Sequence, residues 1–471
     1  MSLSRIIKNK GILFTITFIC TALFFLSSLI PSSTKNSTSS LYKDKSSTTT
    51  ATKDIHVKSQ HSRLTDERLL LLYSALGHMK IGYVTNRTPD IDTPPLTIMY
   101  SCKSSLMGCG SFGTRLMNII QSYYFAMLIE GTAYTTDMSY PVDFNAYFES
   151  KPGYMALLPQ QIYKYINELQ SKDRQLLNNT MQTMELVSPS EDQPTAFSYR
   201  DYYRDQKVSI VQITQWAADS TWSSFHESAT FKPLRDKYRL NHFTTSEWVW
   251  LINRLLFHPT EWLTNQLQPH RLLMGGTIGY SESLSLKDPQ QQLDSTVITT
   301  WYRIGVHLDV PAAIYPDEEE RIKKGKEMIS CLLPYIQRLC EIQKEKNNKL
   351  CHIFVSSTTP FLHNHFQSQF INKKKSFMTL HTIDEQYPFI DLDQPLIDVA
   401  SSKKSLFESD DHTLKVAYAR SVMDWLILSR MDYLLGPEDN ELFKTAAWVA
   451  QVQTELVSNS HTCQIDLLRD W

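Results

Sequence analysis

Apolar positions recur along this chain with two periods, and their alternation sets out an architecture. Leu96 to Tyr100, LTIMY, is a short apolar run and predicts a buried strand. After a glycine-rich turn, Leu116, Ile119, Ile120, Tyr123 and Met127 fall at helical spacing, with Gly131 placed to close the helix. Ala133 to Thr136 reads as the next strand, ending at Asp137, and strand, loop, helix, strand is the order that builds parallel sheets. A longer helical region follows. It includes SEWVWLINRLLFHPTEWL, where Ser246 is the expected N-cap, Pro259 interrupts the helix, and the tryptophans are expected in the core.

The carboxyl half alternates more regularly. Arg303–Leu308, His352–Ser356, Phe377–Leu380 and Tyr433–Leu435 read as strands; Glu318–Asn347, Phe361–Phe370, His412–Arg430 and Glu441–Val452 read as helices. Right-handed crossovers would make this a doubly wound sheet whose ligand site lies beyond the carboxyl ends of its strands. Those ends gather His307, Ser356, Ser357 and Gly436 at one rim. The fold class expected is α/β, two Rossmann-like domains facing a cleft at 66–295 and 296–471, as in the GT-B type among other two-domain α/β enzymes.

The amino terminus follows another pattern. Gly11 to Ile30, GILFTITFICTALFFLSSLI, is free of charge over about 20 residues, the length that crosses a bilayer as a helix. A cleaved signal peptide has a shorter apolar region, of about 7 to 15 residues, so an uncleaved anchor is the expectation. Arg5, Lys8 and Lys10 precede it and suit a cytosolic tail over 1–10. Residues 31–65 open on PSSTKNSTSSLYKDKSSTTTATK, a Ser/Thr-rich stem with little to bury. The chain is therefore expected to be a single-pass type II protein of a secretory membrane such as the Golgi apparatus, with its large domain lumenal. Sequons at Asn36, Asn86 and Asn178 fit that compartment. Beyond Cys20 the chain has six cysteines, Cys102, Cys109, Cys331, Cys340, Cys351 and Cys463, an even number able to oxidise in a lumen. A Cys102–Cys109 bridge would staple the glycine loop, but sequence alone leaves the connectivity open.

The charge balance narrows the partners. Lys and Arg total 47 against 49 Asp and Glu, so no basic excess favours a nucleic acid. With 471 residues, the chain exceeds what one core usually holds.

Gly108-Cys109-Gly110-Ser111-Phe112-Gly113 is a G-x-G-x-x-G run between a predicted strand and helix, the arrangement that brings a phosphate to a helix amino terminus. An anchor and a stem argue against an NAD(P) oxidoreductase. With Arg115 and Asn118 just beyond, the loop offers a cation and an amide to a nucleotide-sugar pyrophosphate.

Four segments extend that reading. They are GCGSFGTRLMNIIQSYYFAMLIEGTAYTTD, LLFHPTEW (Leu255–Trp262), IGVHL (Ile304–Leu308), and SVMDWLILSRMDYLLG (Ser421–Gly436) followed by FKTAAWVA. In order and spacing the chain resembles the GDP-fucose-dependent fucosyltransferases, most of all the plant xyloglucan-type branch, over roughly 96 to 450. The resemblance implies a lumenal, inverting, metal-independent enzyme without a cofactor, moving fucose from GDP-fucose to a hydroxyl of a glycan or glycoprotein. Carried onto this sequence, it gives a donor site of Gly110, Gly113, Arg115, Asn118, His307, Asp309, Ser356, Asp432, Asn440 and Lys444. His307 is the candidate general base and Arg115 the candidate catalytic cation.

Two positions depart from the family's pattern. His307-Leu308-Asp309 stands where the family strand ends in a phosphate-holding Arg, and Pro437-Glu438-Asp439-Asn440-Glu441 replaces a Ser/Thr loop. Arg303, Arg430 and Lys444 are the nearby cations that could compensate. The alternatives are an inactive, glycan-binding lumenal relative, or a GT-B enzyme for another nucleotide sugar. The acidic pairs Asp90/Asp92 and Asp391/Asp393, and His363 with His365, are read as surface features and not as metal ligands.

Overall fold

The structure is a computed structural model. It describes residues 96–103, 109–129, 133–139, 142–149, 181–184, 210–214, 232–238, 243–276, 300–311, 314–384, 386–389, 411–460 and 462–468, with isolated positions between. The predicted membrane span, the stem, all three sequons, Gly108, both acidic pairs and the expected domain boundary at 295–296 lie outside these residues. Among the described residues no helix is long and apolar enough to cross a membrane.

The first sheet is formed by β1 (Thr97–Cys102), β2 (Ala133–Met138), β4 (Met181–Met184) and β5 (Ile210–Ile213), in the order β2-β1-β5-β4 and parallel throughout. Helix α1 (Phe112–Leu128) crosses from β1 to β2 as the spacing predicted. Two-residue strands β3 (Phe148–Glu149) and β6 (His258–Pro259) pair antiparallel beside it. Helices α2 (Lys232–Tyr238), α3 (Thr245–Leu256) and α4 (Glu261–Leu267) follow. The N-cap of α3 is Thr244, two residues before the expected Ser246, because Glu247 completes a capping box by bonding back to the Thr244 amide. Pro259 does end the helical run.

The second sheet is formed by β7 (Trp301–Leu308), β8 (Leu350–Ser357), β9 (Met378–His381), β10 (Tyr433–Pro437), β11 (Thr454–Asn459) and β12 (Gln464–Leu467). Its crossovers are α5 (Glu318–Asn347), α6 (Pro360–Lys373), α7 (Asp411–Leu428) and α8 (Glu441–Ala450). The strand order β12-β11-β10-β7-β8-β9 is that of a dinucleotide-type doubly wound sheet, except that β12 runs antiparallel at the edge. Helix α5 begins at the Asp317 N-cap with Glu318, Glu319 and Glu320 in its first turn and ends with Lys344 and Lys346, which complements the helix dipole at both ends. Strand β12 escapes the periodicity reading because its side chains are largely exposed and form no apolar core face, as an edge strand's do.

The strand order reverses between β7 and β10, and that crevice is where ligands of such sheets bind. Helix α8 starts directly after β10 and packs on both α1 and α3, so one hydrophobic cluster runs from Tyr100, Leu116 and Trp248 to Trp425 and Phe443. Three disulfides form: Cys102–Cys109, Cys331–Cys463 and Cys340–Cys351. The first ties the end of β1 to the glycine loop.

Candidate functional site

The site is built where the first turns of α1 and α8 meet. Gly110 has φ +72°, a left-handed conformation open to glycine at little cost, and it turns the chain into the Ser111 N-cap of α1. Arg115 is buried, and its Nε donates to the Gly110 carbonyl at 3.0 Å, bracing the turn from inside. A side chain on Gly113 would collide with the backbone of Glu441 and Leu442. The absence of a side chain there is therefore accounted for by contact between the two helices. Amides in the first turn of α8 have no carbonyl four residues back to bond, so this junction carries partial positive charge. Lys444 adds a cation one turn along, 3.5 Å from the Glu441 carboxylate.

Asp309 crosses the switch point. Its Oδ2 accepts from Asn440 Nδ2 at 2.7 Å, and its Oδ1 accepts from Thr358 Oγ1 at 2.7 Å. Asn440 in turn caps α8, its Oδ1 accepting from the Phe443 amide at 2.8 Å. The carboxylate expected to repel a pyrophosphate is thus engaged by hydrogen-bond donors on two neighbouring elements. Glu438 and Asp439 point outward and are exposed.

His307 was expected to face the cleft and instead lies beneath α8. It is 1% exposed, its ring parallel to Phe443 with centroids 6.0 Å apart, and its Nδ1 is 2.9 Å from Ser356 Oγ. Burial lowers its pKa to about 4, against the opposing pull of Asp309, so the imidazole is neutral at physiological pH. Its Nε2 has no hydrogen-bond partner. Below it, Asp424 on α7 is driven by burial up to about 7, with Arg420 and a hydrogen bond from Ser356 working in the opposite direction. Ser356 thereby links two buried groups whose pKa values move in opposite directions. Asn118 is also buried, near Tyr100, whose hydroxyl is raised by burial to about 12 while Asn118 and Arg115 lower it.

Two expected site residues sit elsewhere. Asp432 precedes β10, at the amino end of the strand, and forms a two-pronged pair with Arg303, Nε to Oδ2 at 2.9 Å and Nη2 to Oδ1 at 2.6 Å. Arg303 lies four residues before His307, about 13 Å along the strand, and its Nη1 donates to the Leu273 carbonyl. Neither residue belongs to the carboxyl rim, and Arg303 does not replace the missing phosphate-holding Arg. Arg430 donates to the Ile278 carbonyl. His363 packs edge-on against Phe389, and His365 stacks on Phe361. Among the described residues no three His, Cys, Asp or Glu side chains gather as a metal site.

Sequence reasoning missed Thr358, Phe443 and Asp424. Thr358 and Asp424 become visible only with the β7–β8 register and the α7 crossover in hand; Phe443 takes its place once Asn440 is read as the N-cap of Glu441-Leu442-Phe443.

No protein-family profile matches the chain, and no curated protein does. Among solved structures, it is similar to a mutant of Arabidopsis thaliana FUT1 in complex with GDP, at 12% identity and a TM-score of 0.46, over 83% of this chain and 75% of that one. It is similar to NodZ alpha-1,6-fucosyltransferase soaked with GDP-fucose, at 8% identity and 0.39, over 80% of this chain and 100% of that one. A third, POFUT1 in complex with GDP, gives 11% identity and 0.35, over 76% and 96%. Overlap at this level does not carry chemistry from those proteins to this chain.

Proposed function

We propose that this protein is a glycosyltransferase that takes a nucleotide sugar, GDP-fucose, and transfers fucose with inversion and without a metal to a hydroxyl of a glycan or glycoprotein. The observation that carries this reading is the meeting of the glycine-loop helix with the amino terminus of α8 at the switch point of a dinucleotide-type sheet. The four-segment resemblance supports fucose and GDP as the donor's parts. As the glycosidic bond to the donor breaks, charge grows on the departing diphosphate. The Glu441 and Leu442 amides of the α8 first turn and Lys444 are preorganised to stabilise that charge more in the transition state than in the ground state. His307 acts here as a positioning residue that fixes Ser356 below the rim. The protein would work from the lumenal face of a Golgi-type membrane, held by the 11–30 segment.

A second reading has its own observation in the Asp309–Asn440 bond, which places a hydrogen-bonded carboxylate where the resembled family holds a phosphate with an Arg. It favours a glycan-binding protein that has left catalysis behind. Calorimetric titration of the full chain with GDP, GDP-fucose and UDP-sugars, with and without chelator, followed by a fucose-transfer screen, separates the two. Micromolar GDP binding with transfer supports the first reading. Glycan binding with no nucleotide binding sinks it.

A further inference from the structure

The three disulfides differ in their exposure. Cys102 and Cys109 are 0% and 4% exposed, and Cys340 and Cys351 are both fully buried. In the third pair, Cys331 is 8% exposed on α5, while Cys463, in the turn between β11 and β12, is open to solvent. Cys463 also has φ +51°, a left-handed conformation that residues with side chains rarely adopt. Around this bridge lies a groove of about 720 Å³ whose polar lining is Glu319, Lys323, Lys326, Glu327, Ser330 and Ser460. Lys324, outside the lining, pairs with the lining Glu327 at 3.6 Å, and Lys326, in the lining, lies over the Phe361 ring.

We infer that Cys331–Cys463 is a thiol–disulfide exchange site, reached through this groove by a small zwitterionic peptide thiol of the glutathione class. Exchange needs an in-line approach of a thiolate to one sulfur, and the exposed Cys463 offers it while Cys331 is buried on α5. The incoming thiolate forms a bond to Cys463 Sγ; the Cys331–Cys463 bond breaks, and Cys331 leaves as a thiolate that takes a proton from water. A second thiol attacks the mixed disulfide and releases Cys463. Two electrons pass to the protein and two thiols become one disulfide. Lys323 and Lys326 match the carboxylates of such a peptide, and Glu319 matches its ammonium group.

The consequence is local. The bridge joins residues 132 apart and is the covalent tie between α5 and the hairpin that carries the edge strand β12. Side chains of β12 are largely exposed, so without the bridge the strand rests on its ladder with β11. Since β11 pairs with β10, loosening begins at β12, two strands from the β10 side of the switch point.

The inference is independent of any donor, and its test is as well. The oxidised full chain is incubated with glutathione under native conditions, quenched by alkylation, and each cysteine quantified by peptide mass spectrometry. Cys331 and Cys463 are expected to label together at least tenfold faster than the other four, with the glutathione adduct on Cys463. Simultaneous labelling of all six, or an adduct mainly on Cys331, overturns the site. Recognition by the groove is tested with Lys323→Glu/Lys326→Glu, which is expected to slow glutathione at least threefold relative to the neutral thiol mercaptoethanol. An unchanged ratio overturns the peptide-thiol assignment. A Cys331→Ala/Cys463→Ala variant of native circular dichroism is expected to lack the fast phase; persistence of that phase places the labile bridge elsewhere.

Discussion

Asp309 and Asn440 are joined by a 2.7 Å hydrogen bond that spans the point where the strand order of the second sheet reverses. Asn440 uses its other side-chain atom to cap α8. One amide thus fastens the carboxyl end of β7 to the first turn of the helix on which the site is built. Both residues are buried, so removing either leaves the other without its partner. Asn440→Ala is expected to cost about 2 kcal/mol, the sum of a lost cap and a carboxylate short of one donor. A double-mutant cycle with Asp309→Ala, read by urea unfolding, should give a coupling of about 1 kcal/mol or more; additive effects would mean that the bond is incidental.

The contact between Gly113 and the backbone of Glu441 and Leu442 is unforgiving, because backbone cannot swing aside as a side chain can. Gly113→Ala is expected to destabilise by about 3 kcal/mol through overpacking. Thermal unfolding checks it, with Gly110→Ala as a comparison whose cost comes from its positive φ.

Arg303, buried, and Asp432, half-buried, form an ion pair at the amino end of the strands. Asp432→Asn is expected to cost about 3 kcal/mol by leaving a guanidinium, 3% exposed, without its full counter-charge. Because the pair lies about 13 Å from the rim, the surviving folded protein should bind nucleotide as tightly as the wild type; a weakened affinity in calorimetry would return Asp432 to the donor site.

The pH dependence of stability has opposed contributions. Asp424 has a folded pKa near 7 against an ordinary value of 3.8, so the folded state holds an extra proton between those values and this contribution falls as pH rises through that window. His307, His352, His363 and His381 each have folded pKa values near 4 against 6.5, so the folded state lacks protons there, and their contribution rises with pH from about 4 to 6.5. Four histidines outweigh one aspartate, which predicts lability toward acid. Asp424→Asn should gain on the wild type steadily between pH 5 and 7 in chemical-denaturation curves. A difference independent of pH would show that Asp424 is ionised in the fold.

The regular part of the fold was legible from the sequence. The central strands β7, β8 and β10 of the second sheet are buried on both faces and read as apolar runs, and the charges of α5 mark both of its ends. The site was legible only in outline. The glycine loop and the Asn440 cap are local features, but side-chain partners are a tertiary property: nothing local tells that Asp309 meets Asn440, 131 residues later, or that α8 covers His307. Asp432 was misplaced for a simpler reason, since a residue that precedes a strand lies at its amino end, away from the rim.

The central claim is that a nucleotide sugar sits where α1 and α8 meet. Hydrogen exchange of the full chain, with and without saturating GDP-fucose, tests it without any substitution. Slowed exchange is expected in two separate stretches, 109–118 and 438–445, with no change at 300–304 or 430–432. Absence of protection in both stretches, or protection confined to the amino ends of the strands, would contradict it.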